Sequence, residues 1–357
     1  MLSTPVNSAD FSEILNKIRL KPGFKIAVYA EMPKPRQMEI NPANGVVYVG
    51  SRHGHIYSLL DSNNDGTADK ISERARGLNG PNGVVIIGSD LYVGLQDRIA
   101  RWPLPKVDDF SLPINPLTTI NSNLLNNNWH GWRSLGVGPD KKLYVALGAP
   151  CNICTLKPNT GKIVRMNLDG SGWEVVADGV RNSVGFDWHP KTKELWFTDN
   201  GADGMGDDIP ADELNRVTKV GQHFGFPYLG GKSARLPGFE NNSPAIEMTP
   251  PKIEFQAHTA NLGIEFYEGD MFPAEYKNDA FVAQRGSWDR SEPVGYRIMR
   301  ILFDDDGNAI GKEVFADGWL SNGAAIGRPV DIEELPDGSI LISDDFASVI
   351  YRISYEK

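Results

Sequence analysis

One phrase recurs six times along this chain and narrows its fold more than any other feature. A polar or basic residue opens a short apolar strand, a Pro/Gly/Asn/Asp turn follows, and a second apolar strand returns. The openings lie at Arg36, Pro81-Asn82, Arg133 (with His130 just upstream), Arg181-Asn182, Asn261 and Arg328. The returning strands, such as Val46-Val-Tyr-Val, Leu143-Tyr-Val-Ala and Ile340-Leu-Ile, are short, β-branched or aromatic, and bounded by breakers. The turns between them, such as Asn41-Pro-Ala-Asn-Gly and Pro336-Asp-Gly, carry residues that supply a positive or a fixed φ.

A third strand follows in five of the copies, for example Lys162-Ile-Val-Arg-Met and Val349-Ile-Tyr-Arg-Ile. Repetition of such a unit every 40 to 50 residues or so is the pattern of β-propeller blades. The expected fold is therefore all-β, a six-bladed β-propeller, with a β-sandwich as the alternative. Asp10 to Ile18 reads as a short amphipathic helix with Ser8 or Asp10 near its cap, ended by Pro22-Gly23. The division expected is a helical extension over 1–24 and a propeller over 25–357. The last copy stops after three strands, so residues 25–30 are expected to add its fourth and close the ring, which leaves fewer bare edges. Two intervals exceed the repeat, 103–129 and 203–260, and long insertions on a propeller rim often build a binding face.

The bulk properties exclude several classes. Across 357 residues, 40% are apolar, ample for a core, and the formal charge of -10 argues against a nucleic-acid or anionic-membrane surface. No apolar run approaches the roughly 20 residues of a membrane span, and the start shows no basic-then-apolar leader. The two cysteines stand as Cys151-Asn-Ile-Cys154. A structural zinc site would need a second pair of ligands, and a thioredoxin-like motif would need a strand-to-helix context. A local disulfide is expected, favouring an oxidising compartment.

Four stretches carry candidate chemistry. His130, beside Trp129 and Trp132, is placed either as a general base or as a histidine that merely bonds a loop. Arg36, Arg181, Arg285 and Arg328 stand at corresponding ends of different units, where together they would suit a ligand with several carboxylates. Asp61, Asn63, Asp65, Thr67 and Asp69 space oxygens as in the first nine positions of an EF-hand loop, without its final glutamate. That loop is either a structural calcium site or an Asx-rich hairpin turn. Asp199-Asn-Gly-Ala-Asp-Gly-Met-Gly-Asp-Asp208 suits a hard cation or is a flexible rim loop.

Taken together and in order, the separated motifs Gly179-Val-Arg-Asn-Ser-Val-Gly-Phe, Asp199-Asn-Gly-Ala, Gly221-Gln-His-Phe-Gly-Phe-Pro, Gln284-Arg-Gly-Ser-Trp-Asp-Arg and Gly327-Arg-Pro-Val-Asp-Ile resemble the soluble pyrroloquinoline-quinone (PQQ)-dependent sugar dehydrogenases, the glucose/sorbosone dehydrogenase family. The resemblance runs from about Pro22 to Ile353. It implies a quinone over the channel of a six-bladed propeller, with PQQ and Ca²⁺ as cofactors. His130 would take the substrate's hydroxyl proton and Arg181 would stabilise charge on the reduced quinone. Asn182, Arg285 and Arg328 would hold the cofactor, with Arg36 and Asn82 as further contacts. The carbonyls of Gly201 and Ala202 would hold calcium. The implied activity is oxidation of an aldose or related sugar or aldehyde by hydride transfer, with an external electron acceptor and a periplasmic or secreted location. Trp129 departs from the acidic residue of the glucose enzymes, which leaves the substrate open. A calcium-dependent lactonase-like hydrolase and a non-catalytic sugar-binding propeller are the competing readings.

Overall fold

A computed structural model describes residues 8–105, 110, 113, 117–242 and 244–356. The side chains of residues 8–10 lie outside the described ones, and with them the two capping candidates Ser8 and Asp10. Parts of the 103–129 insertion (106–109, 111–112 and 114–116) also lie outside.

The chain forms six antiparallel blades around a central channel. Blade 1 comprises Pro35–Ile40, Val47–Ser51, Ile56–Leu60 and Lys70–Ala75. Blade 2 comprises Gly83–Ile87, Asp90–Gly94, Ile99–Pro103 and Thr118–Asn121, and blade 3 Leu135–Val137, Leu143–Leu147, Lys162–Met166 and Glu174–Asp178. Blade 4 comprises Phe186–Trp188, Leu195–Asp199, Asp212–Val217 and Ile253–Phe255. Blade 5 comprises Asn261–Phe266, Ala280–Gln284, Arg297–Phe303 and Ala309–Asp317. Blade 6 takes Pro329–Glu334, Ile340–Asp344 and Val349–Tyr355 from the end of the chain and Phe24–Glu31 from its beginning. Phe24 lies opposite Tyr355 and Glu31 opposite Val349, so the ring closes as expected.

The first strand of each blade faces the channel and the second lies behind it. Second strands are buried on both faces because neighbouring blades cover them, which is why they read as unbroken apolar runs rather than alternating ones. Each fully buried Val, Leu or Ile contributes roughly 1.5–3 kcal/mol against the ordering cost. Blade 4 differs. Its third strand begins Asp212-Glu213-Leu214-Asn215, three polar residues that are nonetheless buried, so no apolar run marks it in the sequence.

Two additions were not expected. Arg19–Leu20 lies beside Ala309–Asp317 as a fifth strand of blade 5, and Gln222–His223 adds a parallel fifth strand to blade 3. The helix Ser8–Leu15 precedes the first, with Phe11 in the core. No helix among the described residues is long and apolar enough to cross a membrane.

Candidate active site

In each blade the first strand runs away from one face of the ring and the second returns to it. The residue that opens the first strand and the residue that leaves the second therefore meet at the same rim. Arg36, His130, Arg181 and Asn182 lie at or near openings. Arg52, Asn200, Arg285 and Asp345 follow directly on Val47–Ser51, Leu195–Asp199, Ala280–Gln284 and Ile340–Asp344. Of these eight, all but Asp345 line a single cavity of about 390 Å³ at the mouth of the channel.

His130 and His258 each stand three residues before an opening and line the cavity, but the ring of His258 is turned to the Gly206 carbonyl and Asp203. The His130 backbone is left-handed (φ 47°), a conformation that costs energy in a non-glycine residue. Gly148 permits it: a Cβ there would stand 2.4 Å from the His130 Cβ and 2.6 Å from its carbonyl oxygen. Nδ1–H donates to the Ala149 carbonyl at 2.9 Å, which leaves Nε2 as the unprotonated nitrogen. Burial and then the charge of Arg181 push its pKa down to about 3, so the imidazole is neutral at pH 7.

Arg181 is held on every edge. Nε donates to the Asn152 carbonyl (2.9 Å), Nη1 to the Asn200 carbonyl (3.1 Å), and Nη2 to Asn152 Oδ1 (2.7 Å) and Asp203 Oδ2 (3.0 Å). Its amide and that of Asn182 donate to the two oxygens of Asp199. Asn152 lies inside the Cys151–Cys154 disulfide loop, so the expected local disulfide is present and carries the clamp on Arg181.

Asp345 gathers a second group. Its Oδ2 accepts Arg36 Nη1 (3.0 Å) and Arg52 Nη1 (3.1 Å), and its Oδ1 accepts Arg285 Nη2 (2.9 Å) and Nε (3.1 Å). Arg36 and Arg52 also flank the Trp132 ring, at 4.8 and 4.9 Å. Trp129 and Trp288 stand at the rim, 51% and 74% exposed.

Other sequence candidates fall outside the cavity wall. Asn82 is buried behind Arg36, whose Nε it accepts at 2.8 Å. Arg328 lies over Tyr296 (4.9 Å) and donates to the Gly286 carbonyl and the Tyr296 hydroxyl. The Asp61–Asp69 loop joins the third and fourth strands of blade 1 and so stands on the opposite face of the ring. Asp61 there accepts the amides of Asp65 and Gly66, and Asp65 that of Thr67, the pattern of an Asx-rich turn.

The Asp199–Asp208 segment is where the structure fits a hard cation. Asp212 anchors it by accepting the Gly201 amide at 2.7 Å. Among the described residues no donor reaches the carbonyl of Gly201 or Ala202, and Asn200 Oδ1 is buried without a partner. Close by, Asp203, His258 and Asp289 bring ligand atoms within 4.8 Å of one another. Such oxygens suit calcium.

Arg52, Asn152, His258 and Asp345 went unassigned at the level of sequence, while Asp203 falls within the Asp199–Asp208 stretch already read as suiting a hard cation. For Arg52 and Asp345 the position after each second strand was the available signal, since Arg285 already occupied it.

The comparisons with known proteins agree with this architecture. The holo form of the pyranose dehydrogenase PQQ domain from Coprinopsis cinerea has a TM-score of 0.77 at 16% identity, covering 94% of this chain and 97% of that one. The PQQ-bound aldose sugar dehydrogenase from Streptomyces coelicolor has a TM-score of 0.68 at 19% identity, covering 95% and 100%. At these identities the likeness is one of fold. An uncharacterized protein of Borreliella burgdorferi is 37% identical over 360 residues, spanning 97% of this chain and 93% of its own length. Residues 117–351 match the family described as Glucose / Sorbosone dehydrogenase, and the chain belongs to that family of sugar oxidoreductases.

Proposed function

We propose that the protein oxidises an aldose or related sugar or aldehyde with PQQ and Ca²⁺ bound at the channel mouth, passing electrons to an external acceptor. One observation carries the reading: a neutral His130 with an unprotonated Nε2 shares a cavity with Arg181 and with three arginines gathered on one buried carboxylate. When bound, the quinone would accept hydride from the carbon bearing the hydroxyl group, with calcium polarising it.

The chain's own groups divide the remaining work. His130 Nε2 takes the hydroxyl proton; the Ala149 carbonyl keeps Nδ1 protonated and so keeps Nε2 available. Arg181, fixed by Asn152 and Asp203, presents a preorganised positive charge to developing negative charge. Arg36, Arg52 and Arg285 hold carboxylates. Gly201 and Ala202 offer carbonyls to the cation, supported by the unpartnered Asn200 Oδ1. Trp129 and Trp288 offer aromatic faces to the C–H face of a sugar. The disulfide fits an oxidising compartment, hence a periplasmic or secreted location.

The Asp203–His258–Asp289 group is the feature that a hydrolytic reading would use. Four arginines against two aspartates in the cavity wall disfavour it, since such a metal site needs converging carboxylates. Metal-stripped protein, given PQQ and Ca²⁺ and then a panel of aldoses with a dye acceptor, should show a quinone spectral shift and dye reduction. Lactone hydrolysis without dye reduction would replace this reading with the hydrolytic one.

A further inference from the structure

The arginines at the mouth have ligands to hold, but the acid beneath them touches none. Asp345 is wholly buried, with 0% side-chain exposure, and both of its oxygens are taken up by arginines. It leaves the second strand of blade 6. Arg36 opens blade 1, Arg52 leaves the second strand of the same blade, and Arg285 leaves that of blade 5. Three adjacent blades are thus joined at one carboxylate.

Each arginine gives only part of its donor fork to Asp345. Arg36 has Nη2 left after Asp345 and Asn82 take the rest. Arg52 has Nε and Nη2, and Arg285 has Nη1, without a hydrogen-bond acceptor among the described residues. All three residues line the cavity. Without a shared anion, three guanidiniums this close would repel one another and separate. Burial alone would raise the Asp345 pKa, yet Arg36, Arg285 and Arg52 hold it down to about 2.

We propose that Asp345 is the positioning residue of this site, pinning Arg36, Arg52 and Arg285 so that their remaining N–H groups converge on a ligand with several carboxylates. The identity of that ligand as PQQ rests on the proposed function; the pin does not.

The test compares full-length protein with Asp345→Asn and Asp345→Glu, each titrated with PQQ and Ca²⁺ and, separately, with benzene-1,3,5-tricarboxylate. Charge alone predicts tighter anion binding by Asp345→Asn, which gains a unit of positive charge. Pinning predicts the reverse, a loss of about tenfold or more for both probes. It also predicts that kcat at saturating PQQ changes far less than the affinity, a split that general unfolding would not give. Asp345→Glu keeps the charge but moves the carboxylate by one methylene, and should fall between the two. Equal or tighter binding by folded Asp345→Asn overturns the pin. If that variant does not fold, unchanged affinity in Asp345→Glu overturns it. Tricarboxylate binding that depends on Asp345 while PQQ fails to bind would leave the pin standing and remove the cofactor reading. Binding of neither probe by the unaltered protein would remove both.

Discussion

The two ends of the channel carry ionisable groups of opposite type and manage them in opposite ways. At the mouth, Arg36, Arg52, Arg181 and Arg285 line the cavity. Beyond it, Val184, Leu262 and Val330 form an apolar plug with Trp132 packed against it. On the far side is a second cavity of about 180 Å³, lined by Glu39, Asp187, Glu265, Asp331 and Glu333 and by no basic residue. The same inner strands build both ends: Arg36 and Glu39 share one strand.

Arginine cannot discharge at any ordinary pH, so the mouth must supply anions, which are the buried Asp345 and the partly exposed Asp203. A carboxylate can take up a proton, so the far chamber can dispense with cations. Burial raises Glu39 to about 8 and Asp187 and Asp331 to about 7, and raises Glu265 and Glu333 well above the usual range. Four of these acids also join blade to blade. Glu39 accepts the Ile86 amide, Asp331 that of Met38, Glu333 that of Ile40 and Asp187 that of Phe266. The mouth is a site of fixed charge suited to an anion. The far chamber is a titrating seam between blades.

The largest expected effect lies at the mouth. His130→Ala should lower kcat by about a hundredfold or more while quinone affinity stays near that of the unaltered protein. Unchanged turnover in stopped-flow dye reduction would take His130 out of the reaction. Next, Gly148→Ala should lower kcat without altering any titratable group, because its Cβ displaces the His130 backbone. A loss on the order of tenfold is expected, and a full-rate variant would show that the position of His130 is not critical. Replacing Cys151 and Cys154 by serine should loosen Asn152 and lower kcat by roughly tenfold or less, since the oxyanion-type donor Arg181 would lose part of its support. Equal rates before and after the replacement would detach the loop from the chemistry.

The smallest effect separates the two chambers by the sign of their pH dependence. A carboxyl raised in the fold holds a proton that the unfolded chain has already lost. Its contribution to stability therefore declines as pH rises from about 4 through the folded value near 7 or 8. Glu265→Gln removes one such group, and Glu265 makes no hydrogen bond among the described residues that the change could break. Its stability relative to the unaltered protein should rise as pH climbs above the ordinary carboxylate range, because the raised Glu265 it lacks is the group that costs stability there. His130 works the other way. Its folded value of about 3 lies below the ordinary 6.5, so it adds stability as pH rises between them. Denaturant melts of Glu265→Gln and His130→Gln across pH 3.5–8.5 should deviate in opposite directions, and parallel deviations would erase the contrast.

Much of the ring was legible in the sequence. Six openings, six returning strands and closure by Phe24–Glu31 follow from local periodicity. His130, Arg181, Asn182, Arg36 and Arg285 are all legible as candidates in the sequence, and all line one cavity. Arg52 and Asp345 are not legible there because the strand openings make up only half of a rim. The other half is set by strand exits, which are distant in sequence from the openings they face. The acids of the far chamber escaped for a related reason. Glu39 and Glu333 read as ordinary polar positions within strands, and only ring closure turns them toward one channel.

The sequence by itself determined the repeat, the number of blades and the residue types available at each opening, because strand and turn propensities act over a few neighbouring residues. The tertiary structure alone decided which of those residues share a charge. Arg36, Arg52, Arg285 and Asp345 are separated by up to 309 positions, yet they meet within hydrogen-bond distance. Electrostatic pairing depends on distance in space, and in a closed ring that distance is set by the last strand pairing with the first.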